Sequence, residues 1–182
     1  MRDQKVNWSY VLVIFAVVLG TWLVHEFAHW AMGEVLGHPS TLRLNGTSFL
    51  DSEKVSDIDK TLVSAAGPVI TLIQGLIIFL ILRRQQWNKY LYSILFTAFF
   101  MRFLAGVMNF IEANDEGRIS KFLGLGLFTV PILVAGLLFY WVFQISRKHE
   151  LGWRFQLGTS LWVLLASSLL IMADQLFKIQ LI

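Results

Sequence analysis

Cysteine is absent from the 182-residue sequence, which rules out disulfides, cysteine-ligated metal sites and a thiol nucleophile. Any metal site must therefore draw on histidine, aspartate or glutamate. Charge is scarce as well: Asp, Glu, Lys and Arg make up 15% of the residues against 56% hydrophobic, and the mean hydropathy is +0.63. Such a balance excludes an ordinary soluble domain. Apolar runs near the roughly 20 residues that a bilayer-crossing helix needs recur along the chain, so little length remains for a separate soluble domain. No connection is long enough for an inserted PDZ-type or nucleotide-binding domain, and internal repeats and low-complexity tracts are missing. The formal net charge of +3 comes from clusters such as Arg83-Arg84 and Arg147-Lys148, which points to lipid headgroups and topology and away from nucleic acid.

Hydropathy predicts five spans, at about 9–31, 61–82, 89–112, 124–145 and 157–178. The first is read as a span and not as a signal peptide, because its apolar run is too long, it has no small-residue cleavage pattern, and cleavage would discard its histidines. The expected fold is an all-α multi-pass membrane protein forming one integral domain over 1–182. In the polar connection 32–60, Asn45-Gly46 is a strong two-residue turn signal, since both central positions of that turn take φ above zero. The predicted β-hairpin pairs Leu44 with Thr47 and Leu42 with Phe49, giving one apolar face to lay on the membrane surface or the bundle. The DSEKVSDIDK stretch that follows reads as a solvated surface segment.

The span 9–31 contains HEFAH, an H-E-x-x-H match. On a helix His25 and His29, four residues apart, lie on one face about a turn apart, so both imidazoles reach one zinc ion. Glu26 is placed to take a proton from a zinc-activated water. Such residues at membrane depth are costly, and that cost favours function over structural glue. A third protein ligand is needed, and alternation of the spans brings Asn114-Asp115-Glu116-Gly117, just past the third span, to the same side as HEFAH. The opening of the second span, AAGP at 65–68, falls there too.

HEFAH in an early span, AAGPVITL opening the next, and an Asn followed by an acidic-Gly pair ending the third together resemble the site-2 protease family of intramembrane zinc metalloproteases. The resemblance covers about residues 9–120, leaving 121–182 as two additional transmembrane helices. It implies a three-helix catalytic core, one Zn2+ held by His25, His29 and a carboxylate, Glu26 as catalytic base, and cleavage of a membrane protein's transmembrane segment. It also implies that the hairpin around Asn45 and Gly46 pairs with an unwound substrate strand, and that Gly67, Pro68 and Asn109 belong to the substrate-binding side. For the third ligand, register before Gly117 and a helical face shared with Asn109 favour Glu116, whereas the family's aspartate favours Asp115; Asp115 is preferred and Glu116 is the alternative.

The chain departs from the family pattern in three places: Glu112 stands where a proline is usual, Glu116 in place of Asp before Gly117, and Ile70 and Thr71 near the usual Asn. Two other functional classes stay open, a metal-binding transporter or regulator and a catalytically inactive protease-like scaffold. Arg102 and Asp174 are expected either to pair with each other in the bundle or to snorkel to an interface. Glu112 either joins the site or caps a helix. His38 and His149 are expected at the surface, and Trp8, Trp87 and Trp153 as interfacial anchors. Lys and Arg counts lean weakly towards a cytoplasmic N-terminal side. The resemblance instead implies a bacterial cytoplasmic membrane with the active site towards the cytoplasmic face.

Overall fold

The computed structural model describes residues 3–182. Among the described residues, five helices are long and apolar enough to cross a membrane: α1 (Trp8–Val35), α2 (Asp57–Arg84), α3 (Lys89–Met108), α5 (Thr129–Lys148) and α6 (Trp153–Phe177). Between α3 and α5 lies a short helix, α4 (Asp115–Phe122), that the hydropathy reading missed because eight residues with DEGR at their start give no apolar run. Helix α2 also starts earlier than expected. Ser56 caps it by accepting from the Asp59 amide at 3.1 Å, and Asp57 and Asp59 in the first turn suit the helix dipole. The end of DSEKVSDIDK is thus helical, not a plain surface segment. Asn7 and Asn88 cap α1 and α3 in the same way.

Contacts at the two ends of the bundle fix the alternation of the spans. At the end where α1 begins, Lys89 at the start of α3 pairs with Asp3 at 2.8 Å, and the Lys89 ammonium holds the Asp3 carboxyl below its ordinary value. The Lys148 ammonium, ending α5, donates to the Leu82 and Arg83 carbonyls ending α2. His149 is buried there, against expectation, because its Nε2 donates to the Leu82 carbonyl at 3.3 Å and its ring packs on Trp87. At the opposite end lie the hairpin, α4 and the C-terminal residues.

The helices bury aromatic and aliphatic residues between them, including Tyr10, Ile14, Leu82, Tyr92, Leu95, Leu138, Ile145 and Val163. Their outward faces keep Leu12, Ile77, Ile132, Leu133 and Leu161 exposed, as expected of surfaces that meet lipid tails. Since apolar contact alone gives helices little reason to associate in lipid, interhelical hydrogen bonds and small residues matter more. Tyr10 and Thr159 hydroxyls join α1 to α6 at 3.1 Å, Tyr92 and Ser146 join α3 to α5 at 3.2 Å, and Gln74 of α2 donates to Thr21 of α1 at 3.2 Å. Gly75 lets α2 approach α5 so closely that a Cβ there would stand 2.7 Å from Leu138 Cδ2.

The hairpin consists of β1 (Ser40–Arg43) and β2 (Gly46–Phe49), antiparallel. Its register differs from the expected one: Leu42 faces Thr47 and Arg43 faces Gly46, with Leu44 and Asn45 at the tip. Only Gly46 takes a positive φ, +150°. Contacts outside the hairpin account for the shift. The Asn45 side-chain oxygen, Oδ1, accepts from Trp22 Nε1 at 3.0 Å, and residues 179–182 occupy the outer edge of β1, with the Leu44 amide donating to the Ile179 carbonyl at 3.0 Å and the Leu181 amide to the Leu42 carbonyl at 2.8 Å. The apolar face does lie on the bundle, through buried Leu42 and through Leu44 against the core. Asp174 is buried late in α6 and pairs with Arg43 at 3.2 Å. Neither of the two expected fates of Asp174 is therefore seen.

Gly75→Val should push α2 from α5 and cost about 1–3 kcal/mol by overpacking. Thermal unfolding in detergent micelles is the check; an unshifted midpoint would mean that this helix pair is not closely packed.

Candidate metal centre

The HEFAH residues sit in the second half of α1, where His25, Glu26 and His29 are all buried. Helical spacing puts the two imidazoles on one face, and their Nε2 atoms stand 3.1 Å apart. Asp115, the first residue of α4, brings Oδ2 to 3.2 Å from His25 Nε2 and 3.4 Å from His29 Nε2. The other carboxylate of the pair does not reach the histidines in this way. Glu116 is fully buried and its two oxygens accept from Arg102 Nη1 at 3.2 and 3.3 Å. Arg102 thus neither snorkels nor meets Asp174.

Helix α2 decides which nitrogen of each ring faces the centre. His29 Nδ1 lies 2.6 Å from the Val63 carbonyl, which only accepts, so this nitrogen carries a proton. His25 Nδ1 lies 3.0 Å from the Thr71 hydroxyl, whose own proton goes to the Gly67 carbonyl at 2.9 Å. Thr71 therefore accepts, and His25 Nδ1 is also the protonated nitrogen. In neutral rings both Nε2 atoms then carry lone pairs. Two imidazole lone pairs and a carboxylate oxygen converge on one point, an arrangement that repels itself unless a proton or a metal cation lies between.

Spacing and chemistry both fit zinc. Donors about 2.0–2.1 Å from a tetrahedral zinc ion stand about 3.3–3.4 Å from one another, close to the 3.1, 3.2 and 3.4 Å observed. The ring-to-carbonyl and ring-to-hydroxyl contacts are the supports that orient metal-binding histidines. Gly67 completes the cradle: a Cβ there would collide with His29 Nε2 and stand 2.5 Å from His25 Cε1. Pro68 follows it and is also buried in α2.

A cavity of about 720 Å3 opens from this centre, lined by Glu26, His29 and Asp115 on one side and by residues Asn45–Phe49 on another. Glu26 therefore faces the same space as the converging donors, and Glu112 lies on the rim. Strand β2 borders that cavity, whereas the outer edge of β1 is covered by the C-terminal residues. Asn109 is placed otherwise. Its carbonyl oxygen accepts from the Asn114 amide at 3.0 Å and its amide donates to Ala105 and Gly106 carbonyls, so it shapes the break between α3 and α4. Gly117 packs so tightly on Asn109 that any Cβ would overlap its side-chain oxygen. His38 is half-buried and pairs with Asp59 at 2.9 Å, away from the centre.

Sequence reading missed Thr71, Val63, Arg102 and Arg118, which donates to Asp115 Oδ1 at 2.7 Å, as site residues. The place of Thr71, one turn after Gly67, was a usable signal. A main-chain carbonyl such as that of Val63 leaves none.

Two substitutions probe the cradle. Thr71→Val keeps the shape but removes the acceptor for His25 Nδ1, and zinc affinity should fall about 10–100-fold in chelator competition. Gly67→Ala should weaken it at least as much by displacing both rings; affinities equal to wild type would mean that α2 does not hold the histidines. No family model, curated protein or solved structure matches this chain, so these geometric relations are what its function is read from.

Proposed function

We propose that this chain is an intramembrane zinc endopeptidase, a compact and divergent relative of the site-2 proteases, that hydrolyses a peptide bond in or near a transmembrane segment. The observation that carries the proposal is the convergence of His25 Nε2, His29 Nε2 and Asp115 Oδ2 within 3.1–3.4 Å where α4 meets a candidate membrane span of a multi-pass bundle. These three residues would hold the metal. Bound zinc supplies Lewis acidity and lowers the pKa of a coordinated water to about 7.

The chain's own groups divide the remaining work. Glu26 accepts the proton of the attacking water and passes it to the departing amine nitrogen, which needs one carboxylate next to the metal ligands and open to the cavity. Thr71 and Val63 keep the imidazoles in the tautomer that presents Nε2. The β2 edge offers main-chain hydrogen bonds to an unwound substrate strand, the only form in which a peptide bond buried in a helix becomes open to attack. Covered as it is by residues 179–182, β1 directs such pairing to β2. The resemblance to site-2 proteases supports a bacterial cytoplasmic membrane as the location, with the centre towards the cytoplasmic face. Gathering of the metal-binding groups at one level, with no string of them along a path, favours hydrolysis over metal transport.

The test is metal content and cleavage of transmembrane peptides by the purified protein. Glu26→Gln should retain stoichiometric zinc and lose about 10²–10⁴-fold in turnover, while His25→Ala, His29→Ala and Asp115→Asn should each lose zinc. Wild-type turnover in Glu26→Gln would sink the mechanism. Metal loss confined to Glu116→Gln would make Glu116, not Asp115, the third ligand.

A further inference from the structure

Helix α3 buries a guanidinium about two turns before its end, where its charged partners among the described residues are the first two residues of α4. Arg102 is 6% exposed. Its Nη1 donates to Asp115 Oδ2 at 3.3 Å as well as to both oxygens of Glu116, so the oxygen that faces the two histidines is gripped from behind. A charge at this depth in a membrane helix is kept at a cost, and Glu116 alone would not require one, because a neutral pair of the same shape would fill the space with less desolvation. Two carboxylates share this one buried guanidinium. Arg118 adds a contact to the outer oxygen, Asp115 Oδ1, at 2.7 Å, but from an exposed position.

The roles of the two acidic residues follow. Facing a lone carboxylate, Arg102 would form a full ion pair with Asp115 and draw its charge away from the histidines. Glu116 occupies the guanidinium instead, and Asp115 Oδ2 receives a single bond from Arg102 while keeping its place at the centre.

Resting on the metal-centre reading above, we propose that Arg102 is a positioning residue that holds Asp115 Oδ2 on the histidine Nε2 atoms, with Glu116 as its counter-charge. Neighbouring contacts place the rest of the α3–α4 junction: Asn109 accepts from the Asn114 amide, and Asn114 Nδ2 donates to the Ala105 carbonyl. The junction fixes where α4 begins. Arg102 fixes where the carboxylate of its first residue points.

The discriminating variant is R102M/E116Q, which removes both buried charges together and leaves no uncompensated ion. If the arginine served only to neutralise Glu116, this variant would fold and bind zinc like wild type. For a positioning role, zinc affinity of the full-length protein in detergent, measured by chelator competition, should fall about 10–100-fold. The absorption spectrum of bound Co2+ should also change, since the carboxylate ligand is no longer held. R102K, which keeps the charge and its Glu116 partner but shortens the reach, should lie between the two, and it serves as the readout should the double variant not fold. Wild-type affinity and Co2+ spectrum in R102M/E116Q, or in R102K if only that variant folds, overturn the positioning role and leave the metal centre standing. Failure of the wild-type protein to bind zinc overturns both.

Discussion

The close approach of α2 to the histidine face of α1 is the contact on which the candidate site depends. It requires a residue without a side chain at Gly67, where any Cβ would stand among the imidazole atoms. Because the helices touch there, the Val63 carbonyl and the Thr71 hydroxyl reach the Nδ1 atoms and the tautomers are set. Moving α2 outward by the width of a methyl group would leave both rings free to turn. An H-E-x-x-H spacing would remain, without a defined direction for its lone pairs.

Charge is handled by the same principle of local compensation. A bilayer offers no water to the buried ions of this bundle, so each must find its partner within the protein. Arg102 meets Glu116 and Asp115, and Asp174 meets Arg43. These pairs join separate elements. One ties α3 to α4 behind the site, and the other ties α6 to the hairpin in front of it, so ion pairing holds the walls of the cavity as well as neutralising its members.

The hairpin shows how a weak element becomes defined by its neighbours. Two strands of four residues are marginal alone. Here one edge is completed by residues 179–182, the tip is pinned to Trp22, and the Thr47 hydroxyl donates to the Glu26 carbonyl at 3.1 Å. The last of these bonds ties β2 directly to the helix that carries HEFAH. What remains of the sheet faces the cavity and the converging donors.

Hydropathy in the sequence determined the five long helices, because the free-energy cost of exposing polar backbone to lipid makes an apolar run of about 20 residues helical almost regardless of context. Helical periodicity likewise determined that His25 and His29 share a face, and alternation of the spans brought the Asp115-Glu116 pair to their level. Residue type and register left the choice between those two carboxylates open. The tertiary structure decided which one meets the histidines, since the chain breaks at Asn109–Asn114 and restarts a helix whose first turn aims Asp115 inward and Glu116 at Arg102. It likewise decided the hairpin register, the burial of His149 and the partners of Arg102 and Asp174. Each of these rests on a hydrogen bond or ion pair between separate elements, and local spacing contains no information about which donor of one element will come within hydrogen-bonding reach of which acceptor of another.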